Sequence, residues 1–182
     1  MSRSWPALAA LALLAVAGCS GGGAGDGSRA DGAGEAAVVD WVVDGDTVRL
    51  EDGRTVRLLQ IDAPEARTEC YGRDATRALI ELTPRGTPVE LVRDPALDAV
   101  DPYDRLLRYV LVDGDNVNVA LVARGAAAPY FFRNGRGSHA DALLAAARTA
   151  RDGGRGLWAA CPEARLEPGL GSVTGPSQTQ RR

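Results

Sequence analysis

The chain has 182 residues, a formal net charge of −3, 45% hydrophobic residues and 25% charged residues. That apolar share excludes a wholly disordered chain, and the acidic balance excludes a protein that coats nucleic acid through a strongly basic surface. All 21 basic residues are arginine, so any one arginine carries little information. A cluster of them beside carboxylates carries more.

The chain opens with Arg3, then a Leu/Ala-rich run over 7–17. The run is too short for a bilayer span, which needs about 20 apolar residues, and reads as the apolar region of an export signal. It ends in Val16-Ala17-Gly18-Cys19, which resembles a bacterial lipobox. The resemblance implies lipidation of Cys19, a signal peptide over 1–18 and an anchor on the outer face of the cell membrane, or in the periplasm or outer membrane, depending on the envelope. The alternative is an ordinary signal with an incidental cysteine. A Gly/Ala/Asp-rich stretch over 19–37 reads as a flexible tether. A Pro/Gly/Ser/Gln-rich stretch over 162–182 reads as a disordered tail. The folded domain is expected over 38–161.

Three cysteines occur, Cys19, Cys70 and Cys161. With Cys19 lipidated, an even pair remains in an exported chain, and Cys70–Cys161 is the one intramolecular bridge open to it. Two separate reduced thiols are the alternative.

Within the domain, the β-branched run over 38–43, the turn Asp44-Gly45, the alternating Thr47-Val48-Arg49-Leu50, the turn Asp52-Gly53 and the run over 55–61 predict a three-stranded meander. Ala75, Ala78, Leu79 and Leu82 recur at helical spacing, and Pro84 and Gly86 stop the helix. Strands are predicted over 88–93 and 106–112, joined by an acidic loop. Asn118 is expected to cap a short helix over 119–124 that stops at Gly125. Ser138 with Asp141 is expected to start a last helix running to about Ala150. The fold class is α+β: a small five-stranded OB-type barrel with about three packed helices.

Four residue groups could carry chemistry: Asp46, Arg57, Asp62 with Glu65, and Arg105. Singly, each has a bland reading, as a turn residue, a solvated strand residue, a strand-exit turn or a surface cation. Together they are the set that phosphodiester hydrolysis needs. Carboxylates suit a hard cation such as calcium, guanidinium forks bond two phosphate oxygens at once, and a further carboxylate can position water.

Val43-Asp44-Gly45-Asp46-Thr47-Val48, the block from Arg57 to Glu65 (Arg57-Leu58-Leu59-Gln60-Ile61-Asp62-Ala63-Pro64-Glu65) and Tyr103-Asp104-Arg105-Leu106-Leu107 resemble, in order, signatures of the staphylococcal nuclease family. The segment from Val117 to Val122 followed by Gly125, and Gly154-Arg155-Gly156-Leu157-Trp158, are similar to later blocks of that family. The resemblance implies a Ca2+-dependent endonuclease acting on single-stranded or denatured DNA and RNA, with little sequence choice and 3′-phosphate products. It implies that Asp46, Asp62 and the Ala63 carbonyl hold the metal, that Glu65 holds or deprotonates water, and that Arg57 and Arg105 grip the phosphate. Tyr130, Phe131 and Phe132 fall where the family places base-stacking aromatics, in a register open by one residue and with core packing as the alternative; Tyr130 and Phe131 are taken as the substrate-binding pair, with Tyr103 as a third substrate-binding residue. No protein partner is implied, and a monomer is expected.

Two departures stand out: Asp104 lies where the family often has glycine, so that it could pair with Arg105, and Pro102 stands where a cation is found in the founding member. Trp41 and Trp158 are expected in the core and His139 on a helix surface. The competing function, from another class, is a lipid-anchored OB module that binds oligonucleotide or oligosaccharide without cleaving it; a structural envelope lipoprotein is a third.

Overall fold

The computed structural model describes residues 34–173. The expected export signal, Cys19 and most of the expected tether lie outside the described residues.

The first three strands, β1 (Glu35–Asp44), β2 (Thr47–Leu50) and β3 (Thr55–Leu58), form the predicted meander, with antiparallel β1–β2 and β2–β3 pairing. β1 begins earlier than the sequence suggests, because Glu35 to Val38 pair with Leu91 to Pro88 across the sheet. β3 ends earlier. Gln60 takes a left-handed φ of 59° and breaks the run, leaving Ile61–Asp62 as a separate strand, β4. The break is held by the Gln60 side chain, whose Nε2 donates to Gly135 O at 2.9 Å while Oε1 accepts from the Tyr109 hydroxyl and the Gly137 N–H.

Helix α1 (Gly72–Leu82) buries Gly72, Ala75 and Leu79. Strands β5 (Pro88–Val92) and β6 (Leu106–Val112) follow, then the short β7 (Asp115–Asn116). The sheet order is β3-β2-β1-β5-β6-β7, and parallel pairing of β3 with β6 closes it into a five-stranded barrel. Val48, Val56, Leu58, Leu91 and Val110 fill one continuous core with Leu79, Leu121 and Leu143 of the helices. The α+β barrel with packed helices is therefore the fold.

Helix α2 (Val117–Arg124) stops at Gly125 in a left-handed conformation (φ 69°), as expected. Its N-cap is Asn116, which accepts the Val119 N–H at 3.1 Å, and not Asn118. Asn118 is fully buried instead, accepting from Val110 N–H and donating to Leu59 O. It satisfies backbone that the break after β3 leaves unpaired. Strand β8 (Ala128–Pro129) pairs with β4.

Helix α3 (Ala140–Asp152) starts at His139 without a side-chain cap. The expected pair has other partners: Ser138 donates through N–H and Oγ to Asp94, and Asp141 binds Arg136. His139 sets its ring edge-on to Tyr109, 4.4 Å between centroids. A short α4 (Leu157–Ala160) precedes Cys161.

Trp41 is half exposed, on the outer side of β1 under the Arg49 guanidinium, and is not a core residue. Trp158 is partly buried. The segment expected to be a tail contains a hairpin, β9 (Arg165–Glu167) and β10 (Gly171–Val173), antiparallel to each other. Leu166 packs against the core.

Candidate active site

The turn between β1 and β2, the break after β3 and strand β4 meet on one side of the barrel. Gly45 permits the meeting, since a Cβ there would lie 2.6 Å from Ala63 Cβ and 3.0 Å from Ala75 Cβ. Asp46, which follows, is buried. It accepts the Ala63 N–H at 2.9 Å on Oδ2 and the Thr47 hydroxyl at 3.0 Å on Oδ1.

Arg57 on β3 reaches between the two aspartates. Its Nη2 lies 2.8 Å from Asp62 Oδ1 and 3.3 Å from Asp46 Oδ2, and Nη1 donates to Ile61 O at 2.9 Å. Two carboxylates therefore converge on one point. Burial pushes the Asp46 carboxyl up to about 6, against the pull of the Arg57 guanidinium; Asp44 raises it further, the Ala63 N–H lowers it and Asp62 raises it.

That shift has a plain physical meaning: a carboxylate taken out of water favours its neutral form, and the Arg57 guanidinium offsets only part of that. Oxygen donors in the Asp46–Asp62 pair fit a hard divalent cation whose other ligands are carbonyl and water. Among the described residues no group of three or more His, Cys, Asp and Glu side chains is placed to hold a metal ion.

Glu65 is exposed, at the start of a turn whose N–H is accepted by Glu69 Oε2 at 2.7 Å. Burial raises the Glu69 carboxyl, the Glu65 N–H lowers it, and Asp62 and Glu65 raise it. Sequence reading missed this neighbour of Asp62 and Glu65, although its position four residues after Glu65, in a segment too short to leave the site, was a usable signal.

Arg105 just precedes β6, whose Leu106 pairs with Val56, so it stands one strand over from Arg57. Its carboxylate partner is Asp101 and not Asp104. Nε and Nη2 lie 2.7 and 2.6 Å from Asp101 Oδ2, and the Arg105 N–H also binds Asp101. Asp104 takes a left-handed turn (φ 61°) with its N–H on Asp101 O. The acidic loop thus turns back on Arg105 from the far side of the turn, which adjacency in sequence does not reveal.

A cleft of about 1070 Å³ is lined by Arg57, Asp62 and Arg105, together with Tyr103, Tyr130 and Phe132. Tyr103 is 79% exposed with Arg105 over its ring, and Phe132 is 56% exposed under Arg133. Phe131 is not in the cleft. It is buried in the core with its N–H on Pro168 O, so the aromatic expected there is its neighbour Phe132. The left-handed conformations of Arg133 and Asn134 just after it turn the chain away from strand alternation, which defeats a register count from sequence.

Cys70 and Cys161 form a disulfide with α-carbons 5.9 Å apart. It joins the segment just after Glu69 to the end of α4.

Comparison with known proteins agrees with this geometry. The family model described as "Staphylococcal nuclease homologue" matches residues 55–160, more than half of the chain. The chain is similar to Endonuclease YncB of Bacillus subtilis (strain 168), 38% identical over 97 residues, which is 49% of this chain and 45% of that protein. It is similar to the SPbeta prophage-derived endonuclease YokF of the same strain, 40% identical over 97 residues, 49% of this chain and 32% of that protein. A Thermonuclease of Staphylococcus intermedius is 33% identical over 114 residues, 58% of this chain and 66% of that protein. The chain thus spans less than half the length of the two Bacillus relatives. With the barrel closed as described and the matched segment running from β3 to α4, the chain belongs to the staphylococcal nuclease homologue family.

Proposed function

We propose that this domain is an endonuclease that hydrolyses phosphodiester bonds in single-stranded or denatured DNA and RNA with little sequence choice, using calcium and leaving 3′-phosphate ends. The observation that carries the reading is the convergence of Asp46, Asp62 and Arg57 at a cleft that also holds Arg105 and two exposed aromatic rings. The endonuclease names of the relatives support it.

Asp46 and Asp62, with the Ala63 carbonyl, would hold the cation, which supplies charge neutralisation at the phosphate. Arg57 and Arg105 bond the non-bridging oxygens, where charge accumulates as water attacks phosphorus. Glu65 positions the water and takes its proton. The new bond joins the water oxygen to phosphorus, the P–O5′ bond breaks, and the departing 5′ oxygen takes a proton from solvent water, while Glu65 returns the one it accepted to solvent. Asp101 holds Arg105 in place before substrate arrives, at the cost of competing with phosphate for the same fork.

The test is turnover on denatured DNA by Glu65→Gln and Arg105→Ala, each expected to lose about two to three orders of magnitude while remaining folded. A folded variant at near-normal rate would remove the role given to that residue. Loss of cleavage with strand binding kept in the unaltered protein would favour the non-catalytic OB module instead.

We also propose export and a lipid anchor at Cys19, with 1–18 removed. Two acyl chains hold a protein firmly where one does so marginally. Cys19→Ala should move the protein from the membrane fraction to the soluble one, and unchanged fractionation would refute the anchor.

A further inference from the structure

The hairpin of β9 and β10 lies beyond the segment matched by the family and outside the catalytic set, yet it borders the same cleft. Three contacts fasten it. Pro168 O accepts the Phe131 N–H at 2.7 Å, Leu166 packs on the core, and buried Gly171 sits against the metal-site carboxylate, where a Cβ would lie 2.6 Å from Asp62 Oδ2. Gly171 also has a left-handed φ of 79°, so both its space and its backbone require glycine. The hairpin is thus a wall built directly beside Asp62.

At its tip, Gly169 and Leu170 line the cleft, and Leu170 is 67% exposed. A single exposed leucine is ordinary. This one shares a cleft with exposed Tyr103 and Phe132, and guanidinium groups lie over both rings. Apolar faces interleaved with arginine are what a surface for unpaired bases and their phosphates consists of.

We propose that the hairpin is a specificity element of this cleft, and that Leu170 contacts an unpaired base beside the scissile phosphate, so that single strands are accepted over duplex. The inference rests on the nucleic-acid reading above. A base in a duplex is stacked on both faces and paired at its edge. To lay a face on Leu170 while its phosphate reaches Arg57 it must leave the stack, which costs a few kcal/mol. A single strand meets no such cost. Because the wall abuts Asp62, it constrains the nucleotide next to the reacting bond and not a remote one.

The experiment uses the full-length protein and its Leu170→Ser and Leu170→Trp variants, with melting curves showing each folded. Anisotropy of a labelled 12-nucleotide single strand in calcium, with Glu65→Gln added to each protein to arrest hydrolysis, gives affinity apart from catalysis. Hydrolysis of that strand and of its duplex in calcium gives the single-strand preference. Leu170→Ser should weaken strand affinity by roughly five- to tenfold, the scale of one lost base contact, and lower the single-strand preference, while Leu170→Trp should match or exceed the unaltered protein. Unchanged affinity and unchanged preference in Leu170→Ser would overturn the proposal. If the unaltered protein binds the strand but cleaves nothing, the catalytic reading fails and affinity alone decides the role of Leu170. If it binds no strand, both fall.

Discussion

Arg57 donates through Nη2 to the Asp62 carboxylate at 2.8 Å, and the same nitrogen stands 3.3 Å from Asp46. One guanidinium therefore keeps two like charges at a common point. Arg57→Ala should cost stability of about 2 kcal/mol, below the full loss of a buried pair because Asp62 is partly open to solvent. It should also cost at least about two orders of magnitude in turnover. Arg57→Lys should recover most of the stability and little of the turnover, because an ammonium replaces the charge and not the two-pronged grip. Denaturant melts and rates on denatured DNA check both. Equal recovery of both quantities by lysine would mean that charge alone is what Arg57 contributes.

Phe131 and Phe132 are neighbours with opposite environments. Phe131→Ala should destabilise the fold by about 3–5 kcal/mol, as large core truncations do. Phe132→Ala should change stability by no more than about 0.5 kcal/mol and weaken single-strand affinity by the loss of about 1–3 kcal/mol of stacking. Melting and anisotropy on the two variants separate the roles; strand affinity lost with Phe131 alone would restore the register expected from sequence.

Asp94 is buried, which raises its carboxyl, yet N–H groups of Ser138 and Ala96 and hydroxyls of Ser138 and Tyr109 outweigh that and leave it below the ordinary value. A depressed folded value adds stability above the unfolded aspartate range, near pH 4, and the gain is lost as pH falls through the folded value. Asp94→Asn should cost about 1–3 kcal/mol at pH 7, and the gap to the unaltered protein should shrink below about pH 4. A gap that stays constant from pH 7 to 3 in denaturant melts would show that ionised Asp94 does not hold this corner.

The barrel was legible because its strands alternate and α1 keeps one apolar face; Val48, Val56 and Leu79 fall where their spacing puts them. Asp46, Arg57, Asp62 and Ala63 were legible as motif residues, and their contacts bring them together. What escaped depends on backbone breaks. Gln60 ends β3 through hydrogen bonds to residues some 50–80 positions away. Asn118 is polar and was read as a cap, although it lies buried beneath β6. The hairpin escaped because one packed leucine, Leu166, in a Pro/Gly-rich segment sets up no period.

The Cys70–Cys161 bridge, with 91 residues of separation, should contribute up to about 4–5 kcal/mol by restricting the unfolded chain. It also ties the segment after Glu69 to the end of α4. Cys161→Ser should lower the melting temperature while leaving Arg57, Asp46 and Asp62 in place, so turnover at low temperature should hold within a few-fold. Equal melting curves for the oxidised and reduced protein would show that the bridge contributes nothing to stability.

Cleavage at the Asp46–Asp62 pair is expected to depend on a bound metal. The most direct test is purified protein on denatured DNA, first with Ca2+, then with excess EGTA, then with Ca2+ restored. Cleavage, arrest and recovery are expected in that order, because without a cation the two carboxylates repel the phosphate they should help to hold. Undiminished cleavage in EGTA, or none in Ca2+, would contradict it.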